Sequence, residues 1–215
     1  MSSRDAMRPL LLVALLAAPS PARAEEGPHS AVLVLGKLGG LIPVTKLSPH
    51  VSVRLGAGYL LPVLKRRLAA VVDLGYSQNT TDGTVQDPRL GASGASFSYT
   101  MTQRDLNLFI GPQLYLLDPF RRLVPHVALG VDLHFLRSVV EGEGAGQDLG
   151  GNDETSTKAG FALRGGLGLR LGPGLVTGEL TFSWVPIDHA ITGESHLGRL
   201  AILVGYTAIL GLGGR

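Results

Sequence analysis

The stretch GLVTGELTFSWVPI (Gly174–Ile187) decides how this chain is read. Thr177, Glu179, Thr181 and Ser183 fall on one face of an extended segment, and Val176, Leu180, Phe182 and Trp184 fall on the other. Period-two alternation of this kind marks a strand with one apolar and one polar face. In a soluble barrel or sandwich the apolar face would turn inward. In a membrane barrel it turns outward to lipid, and the polar face lines the interior.

The N-terminus bears on that choice. Arg4 and Arg8 form a positive start, Pro9–Ala18 is a short apolar core, and Ala22-Arg23-Ala24 is a small-x-small cleavage site. This is the pattern of a secretory signal peptide over residues 1–24, with an apolar core too short to span a bilayer. The mature domain is then 25–215. Removing the leader takes away Arg4, Arg8, Arg23 and Asp5, so 19 basic and 17 acidic residues become 16 of each. A neutral mature chain takes away the charge argument for a nucleic-acid partner. The chain has no cysteine, hence no disulfide framework and no acylated cysteine. No later apolar run is long enough for a transmembrane helix. With 30 glycines, few charges and a mean hydropathy of +0.25, the composition suits short strands with an apolar exterior.

Alternation and turn residues mark eight strands: Ala31–Ile42, His50–Leu61, Leu68–Ser77, Arg104–Leu117, Leu123–Ser138, Ala159–Leu171, Leu175–Val185 and Leu197–Leu210. At about 10 to 16 residues they exceed the usual globular strand and match tilted membrane-spanning ones. Short connections (Pro62–Arg67, Asp118–Arg122, Gly172–Gly174) alternate with longer polar ones (Asn79–Gln103, Val139–Lys158, Asp188–His196), after a first loop, Pro43–Pro49, of modest length. An up-and-down barrel with periplasmic termini puts every short turn inside and every long loop outside. The turns carry Lys65, Arg66, Arg67, Arg121 and Arg122, whereas Val139–Lys158 is acidic.

In that topology Tyr59, Tyr115, Phe120 and Tyr206 lie at inner strand ends, and Tyr76, Phe135, Phe161, Phe182 and Trp184 at outer ends. Two aromatic belts around an aliphatic band are what membrane interfaces select. Phe109, in mid-strand, is the exception. The polar face places Lys37, Arg54, Asp73, Asn107, Gln113, Asp132, His134, Arg164, Arg170, Glu179 and Arg199 in the lumen. So many charges inside a soluble core would cost several kcal/mol each unless paired. A narrow barrel filled by side chains can pair them. Pro112 falls inside the fourth strand, where a closed barrel has no free edge, and predicts a bulge.

The segment RLVPHVALGVDLHFL (Arg122–Leu136), with FIGPQLYLL before it, resembles paired central strands of the small outer-membrane β-barrel domain family, the OmpA-like and OmpW-like eight-stranded barrels. The resemblance covers about Ala31–Leu210. It implies an outer-membrane location and insertion by the barrel assembly machinery. The chain departs from the family pattern at its end: Gly205, Ala208 and Leu210 precede GLGGR without the usual terminal aromatic. No peptidoglycan-binding domain is expected after the barrel.

Three constellations are candidates for chemistry. A lipid-modifying barrel needs a nucleophile beside a base, but the position two residues after His126 is Ala128. Asp132 and His134 share one strand face, yet two ligands do not make a metal site. Val139–Lys158 carries Glu141, Glu143, Asp148, Asp153 and Glu154 without the order of a Ca²⁺ loop, and reads as a solvated external loop. In the sixth hairpin, with Gly172 opposite Leu175, Gly168 would face Glu179, with Arg170 diagonal to it and Arg199 approaching from the eighth strand. A Glu179–arginine pair would then plug the lumen.

The sequence thus predicts an all-β, eight-stranded antiparallel up-and-down transmembrane barrel. The expected role is non-enzymatic, structural or narrow-pore, without cofactor or metal. Its partners would be outer-membrane lipids, lipopolysaccharide and the assembly machinery, and not nucleic acid. The rival readings are a secreted soluble barrel carrying a hydrophobic ligand in an apolar calyx, and a lipid-modifying outer-membrane enzyme.

Overall fold

A computed structural model describes residues 30–44, 48–86, 96–144, 147–187 and 196–212. The expected leader with its cleavage site, and residues 213–215, lie outside the described residues. Eight strands form one closed antiparallel barrel in sequence order: β1 (Ala31–Pro43), β2 (His50–Leu60), β3 (Leu68–Gln86), β4 (Ser96–Tyr115), β5 (Leu123–Gly144), β6 (Gln147–Leu171), β7 (Gly174–Pro186) and β8 (His196–Gly211). β1 closes on β8 from Ala31↔Gly211 to Pro43↔Arg199. Closure pairs every strand on both sides and leaves no edge within the barrel wall.

The alternation read from sequence sets the faces. Along β7, residues 175, 177, 179, 181, 183 and 185 are buried, and Gly178, Leu180, Phe182 and Pro186 are exposed. The exterior is aliphatic, with Val34, Leu38, Leu55, Leu129, Leu163, Ile202 and Val204 all exposed. Inside, the packing is in tiers. Leu33, Leu35, Leu60, Val71, Tyr115, Val124, Leu175 and Ile209 close the end that carries the short turns, with Phe120 packed against them. Charged side chains fill the middle. Leu136, Val185, Ile187 and Leu197 form a cluster toward the other end.

Two short turns show how that end is built. Leu171 pairs with Gly174, so Gly172-Pro173 is a two-residue loop. Gly172 sits at φ 59, a conformation that glycine adopts without cost, and the pattern is that of a type II′ turn. In the β2–β3 turn, Leu64, Lys65 and Arg66 have φ of 49, 56 and 62 without glycine. That costs roughly 1–2 kcal/mol per residue. Bonds from Leu61 N to Leu68 O at 2.8 Å and from Arg66 N to Val63 O at 2.9 Å hold the turn.

Three expectations are corrected. Two of the three segments read as long loops are largely strand: β3–β4 pairing runs to Gln86↔Ser96 and β5–β6 pairing to Gly144↔Gln147, while 188–195 of the third lie outside the described residues. Thr- and Gly-rich polar sequence lacks the apolar alternation that marks a half-buried strand, but cross-strand pairing does not require it. Pro112 makes no bulge. The β4–β5 ladder omits Gly111 and Pro112, then resumes in unchanged register from Ile110↔Val131 to Gln113↔Ala128. A missing donor costs one ladder bond and no register. The irregularity lies instead between Glu141 and Glu143 in β5. The β6–β7 register is also shifted from that expected: Gly166, not Gly168, faces Glu179, and Arg170 faces Leu175.

Candidate functional site

The middle tier is assembled from residues distant in sequence. Lys37 Nζ donates to Glu179 Oε2 at 2.5 Å. His126 Nε2 lies 3.5 Å from the same oxygen, and Thr181 donates to Glu179 Oε1 at 3.2 Å. His126 stands on β5 and Glu179 on β7, and the ring reaches across β6 because Gly166 lies between them. A Cβ there would sit 2.6 Å from His126 Nε2.

Asp73 receives both guanidinium nitrogens of Arg164, one at 3.1 Å, with Arg54 Nη1 at 4.0 Å. Arg164 Cζ stands 3.4 Å from the centroid of Phe109. Phe109 itself packs over Gly111 and Gly130, where Cβ atoms would lie 3.0 and 2.7 Å from its ring. The mid-strand aromatic that breaks the belt pattern is therefore an interior cation–π partner.

Farther along the axis, His134 is held between two carboxylates. Its Nδ1 is 3.0 Å from Asp105 Oδ2 and its Nε2 is 3.1 Å from Asp132 Oδ2. Asn107 donates to Asp132 at 2.8 Å. Arg199 pairs with Asp105, donates to Ser183 Oγ at 3.0 Å and lies 2.8 Å from His134 Nε2. Beside this group, Leu41, Asn79, Asp105 and Arg199 line a pocket of about 10 Å³, the size of one water.

The structure puts Lys37, Arg54, Asp73, Asp132, His134, Arg164, Glu179 and Arg199 in this interior. It sets Arg170 apart. Arg170 Cζ lies 5.2 Å from the Phe120 ring at the short-turn end, with Arg66 Cζ at 5.5 Å. The expected Glu179–arginine pair is corrected to Glu179–Lys37, with Arg199 committed to Asp105. Asp105 lies within the expected fourth strand, Arg104–Leu117, yet it is absent from the lumen residues expected from sequence. Its parity with Asn107 is the signal that would have found it. With Asp105 included and Arg170 at the rim, four buried cations (Lys37, Arg54, Arg164, Arg199) meet four buried carboxylates (Asp73, Asp105, Asp132, Glu179) among the described residues.

No nucleophile–base pair emerges among the described residues. Ala128 is buried beside Phe109 and Ala162, Ser138 accepts from Gln103 at 3.2 Å, and Ser183 accepts from Arg199. The described residues hold no group of three or more His, Asp or Glu arranged for a metal.

Outside, Tyr59, Tyr76, Phe135, Phe161 and Phe182 are exposed, and Phe161 and Phe182 lie 6.3 Å apart. Trp184 stacks on His196 at 4.2 Å, and Tyr206 donates to Leu171 O at 3.0 Å. Tyr115 is the correction to the belts. It is 1 % exposed and faces His126 from inside, ring centroids 6.0 Å apart. Parity with Gln113 turns it inward, whatever the height of its strand end. An exterior of this character suits hydrocarbon: soluble monomers rarely expose apolar patches beyond a few hundred Å².

No protein-family model matches the chain. No curated protein matches it in sequence. Among solved structures, a major outer membrane protein from Thermus thermophilus is similar with a TM-score of 0.50 at 14% identity, over 84% of this chain and 99% of that one. This chain has the fold of a small outer-membrane β-barrel. The Neisserial surface protein A has a TM-score of 0.46 at 15% identity, over 87% of this chain and 100% of that one. OprG of Pseudomonas aeruginosa has 0.48 at 10%, over 86% and 97%.

Proposed function

We propose that this barrel spans the bacterial outer membrane as a closed, non-enzymatic structural protein, and that it presents β3–β6 outside the cell as a recognition surface. The observation that carries this reading is the uneven height of the wall. β2 leaves β3 at Ser52↔Ser77, and β7 leaves β6 at Trp184↔Phe161. Residues 78–86 and 147–160 continue beyond those points, and with β4 and β5 between them they make a four-stranded sheet. The nine residues of β3 alone extend about 30 Å. A four-stranded sheet of this length is ample for contact with another macromolecule.

The apolar tier at the short-turn end argues for the structural role over a narrow pore, since Leu33, Leu60 and Val124 are wholly buried across the bore. The soluble-calyx alternative would need its apolar face inside, whereas Leu38, Leu129 and Val204 face out. Lipids and lipopolysaccharide would surround the band. The barrel assembly machinery would insert the chain, and nucleic acid has no role.

The absence of cysteine makes the test direct. Asp82→Cys should react with a membrane-impermeant maleimide on intact cells, and Arg121→Cys only after lysis. The purified protein should migrate faster unboiled than boiled and give no conductance steps in planar bilayers. Reversed labelling would overturn the orientation. A protein found in the soluble periplasm without a mobility shift would overturn the membrane reading.

A further inference from the structure

The outward faces of the strands are free of charge through the apolar band. The first charged residues to interrupt them are Arg104 on β4 and Arg137 on β5, and these two are directly paired across the ladder. Like charges set opposite each other on one face of an antiparallel pair repel. Arg137 is already compensated: it forks onto Asp153, with Nη2 2.7 Å from Oδ2, and these bonds hold the Asp153 carboxyl below its ordinary range. Arg104 is exposed and has no ion-pair partner among the described residues. Arg104 and Arg137 line one cleft of about 190 Å³ with Thr100, Thr102, Val139 and Glu141. Thr100 donates to Asp82 Oδ1 at 2.7 Å, the Thr102 hydroxyl lies 3.3 Å from that of Thr80, and Glu141 follows Val139 on the outward face of β5. One outward row toward the band lie Tyr76, Leu106 and Phe135, laterally aligned with each other. Tyr76 donates to Gln78 Oε1 at 3.0 Å, where the outer face turns from apolar to polar.

We propose that the Arg104–Arg137 pair binds a phosphate of the glycolipid that forms the outer leaflet. The pair stands one row above the last aromatic row, where a membrane places its headgroups. A phosphate can take two parallel bonds from the Arg104 fork and offset the charge there, while Arg137, held by Asp153, adds its positive charge to the same cleft. The acyl chains of the same molecule would lie along Leu106, Phe135 and the aliphatic wall below. The inference deepens the membrane reading above and rests on the orientation given there.

The test is native mass spectrometry of the full-length protein, released from detergent with added lipid. The probes are diphosphoryl lipid A, the same lipid A stripped by phosphatase, phosphatidylglycerol and inorganic phosphate. Diphosphoryl lipid A should bind most tightly. Arg104→Gln should weaken it on the order of tenfold or more, and Arg104→Lys should weaken it less, because the charge stays and the fork is lost. Retained heat-modifiable migration shows that each variant is folded. Should Arg104→Gln lose that shift, Arg104→Lys decides the matter. Equal binding of stripped lipid A, or unchanged binding by both folded variants, would overturn the proposal. Phosphatidylglycerol or inorganic phosphate binding as tightly as diphosphoryl lipid A would overturn the glycolipid assignment. Failed maleimide labelling of Asp82→Cys would sink the orientation, whereas unchanged lipid A binding with labelling intact would sink only this inference.

Discussion

Replacing Lys37 and Glu179, singly and together, probes whether the interior acts as paired charges or as mere filling. The two groups are 2.5 Å apart, and both side chains are almost wholly buried. At an effective dielectric near 20, charges at that separation attract by about 7 kcal/mol before desolvation is counted. Desolvation offsets most of this, so the pair as a whole contributes little. Removal of one member leaves a buried charge without its partner, at a cost of about 3–5 kcal/mol. Glu179→Gln should fall in that range, because Lys37 keeps no carboxylate in hydrogen-bonding contact. Lys37→Met should cost less, because His126 stays 3.5 Å from Glu179. The double variant should recover at least about 2 kcal/mol of the summed losses, since contacting residues are not additive. Urea unfolding in detergent micelles measures all four proteins, and the single tryptophan, Trp184, is the fluorescent probe. Single losses below about 1 kcal/mol, or losses that simply add in the double variant, would refute this account.

Three further outcomes follow from the same geometry. Gly166→Ala would put a Cβ 2.6 Å from His126 Nε2 and 2.7 Å from Gly178 O. It should cost about 1–3 kcal/mol by urea unfolding, and an unperturbed midpoint would show that the ring does not cross β6 at this point. Phe109→Ala removes both a buried ring and the partner of Arg164, and should cost about 3–5 kcal/mol. A loss under about 1 kcal/mol would mean that the guanidinium does not rest on that ring. Tyr115→Ala should destabilise the barrel in micelles by about 3–5 kcal/mol as a core truncation, and Tyr59→Ala, an exposed belt residue, by much less. Equal losses would return Tyr115 to the belt.

Much of this protein is legible in its sequence. Period-two alternation fixed which face each strand residue takes, because successive side chains on a strand point to opposite sides. That rule put Lys37, Arg54, Asp73, Asp132, His134, Arg164, Glu179 and Arg199 inside without knowledge of their partners, and applied to Tyr115 and Asp105 it would have put them there too. Strand order was also readable, since short turns join antiparallel neighbours. Three-dimensional pairing decided the rest. Lys37 and Glu179 are 142 residues apart, and Arg199 and Asp105 are 94 apart. Such contacts depend on closure and register, and a hairpin loop shifted by a residue moves every cross-strand partner. Glu179 therefore met Lys37 and His126 instead of an arginine. The reach of β3–β6 beyond the wall was hidden for a different reason. Those segments bury no apolar face, so their sequence carries no alternation, and only their backbone ladders show that they are strands. Sequence decides which way each residue points. The register of the closed barrel decides what it touches.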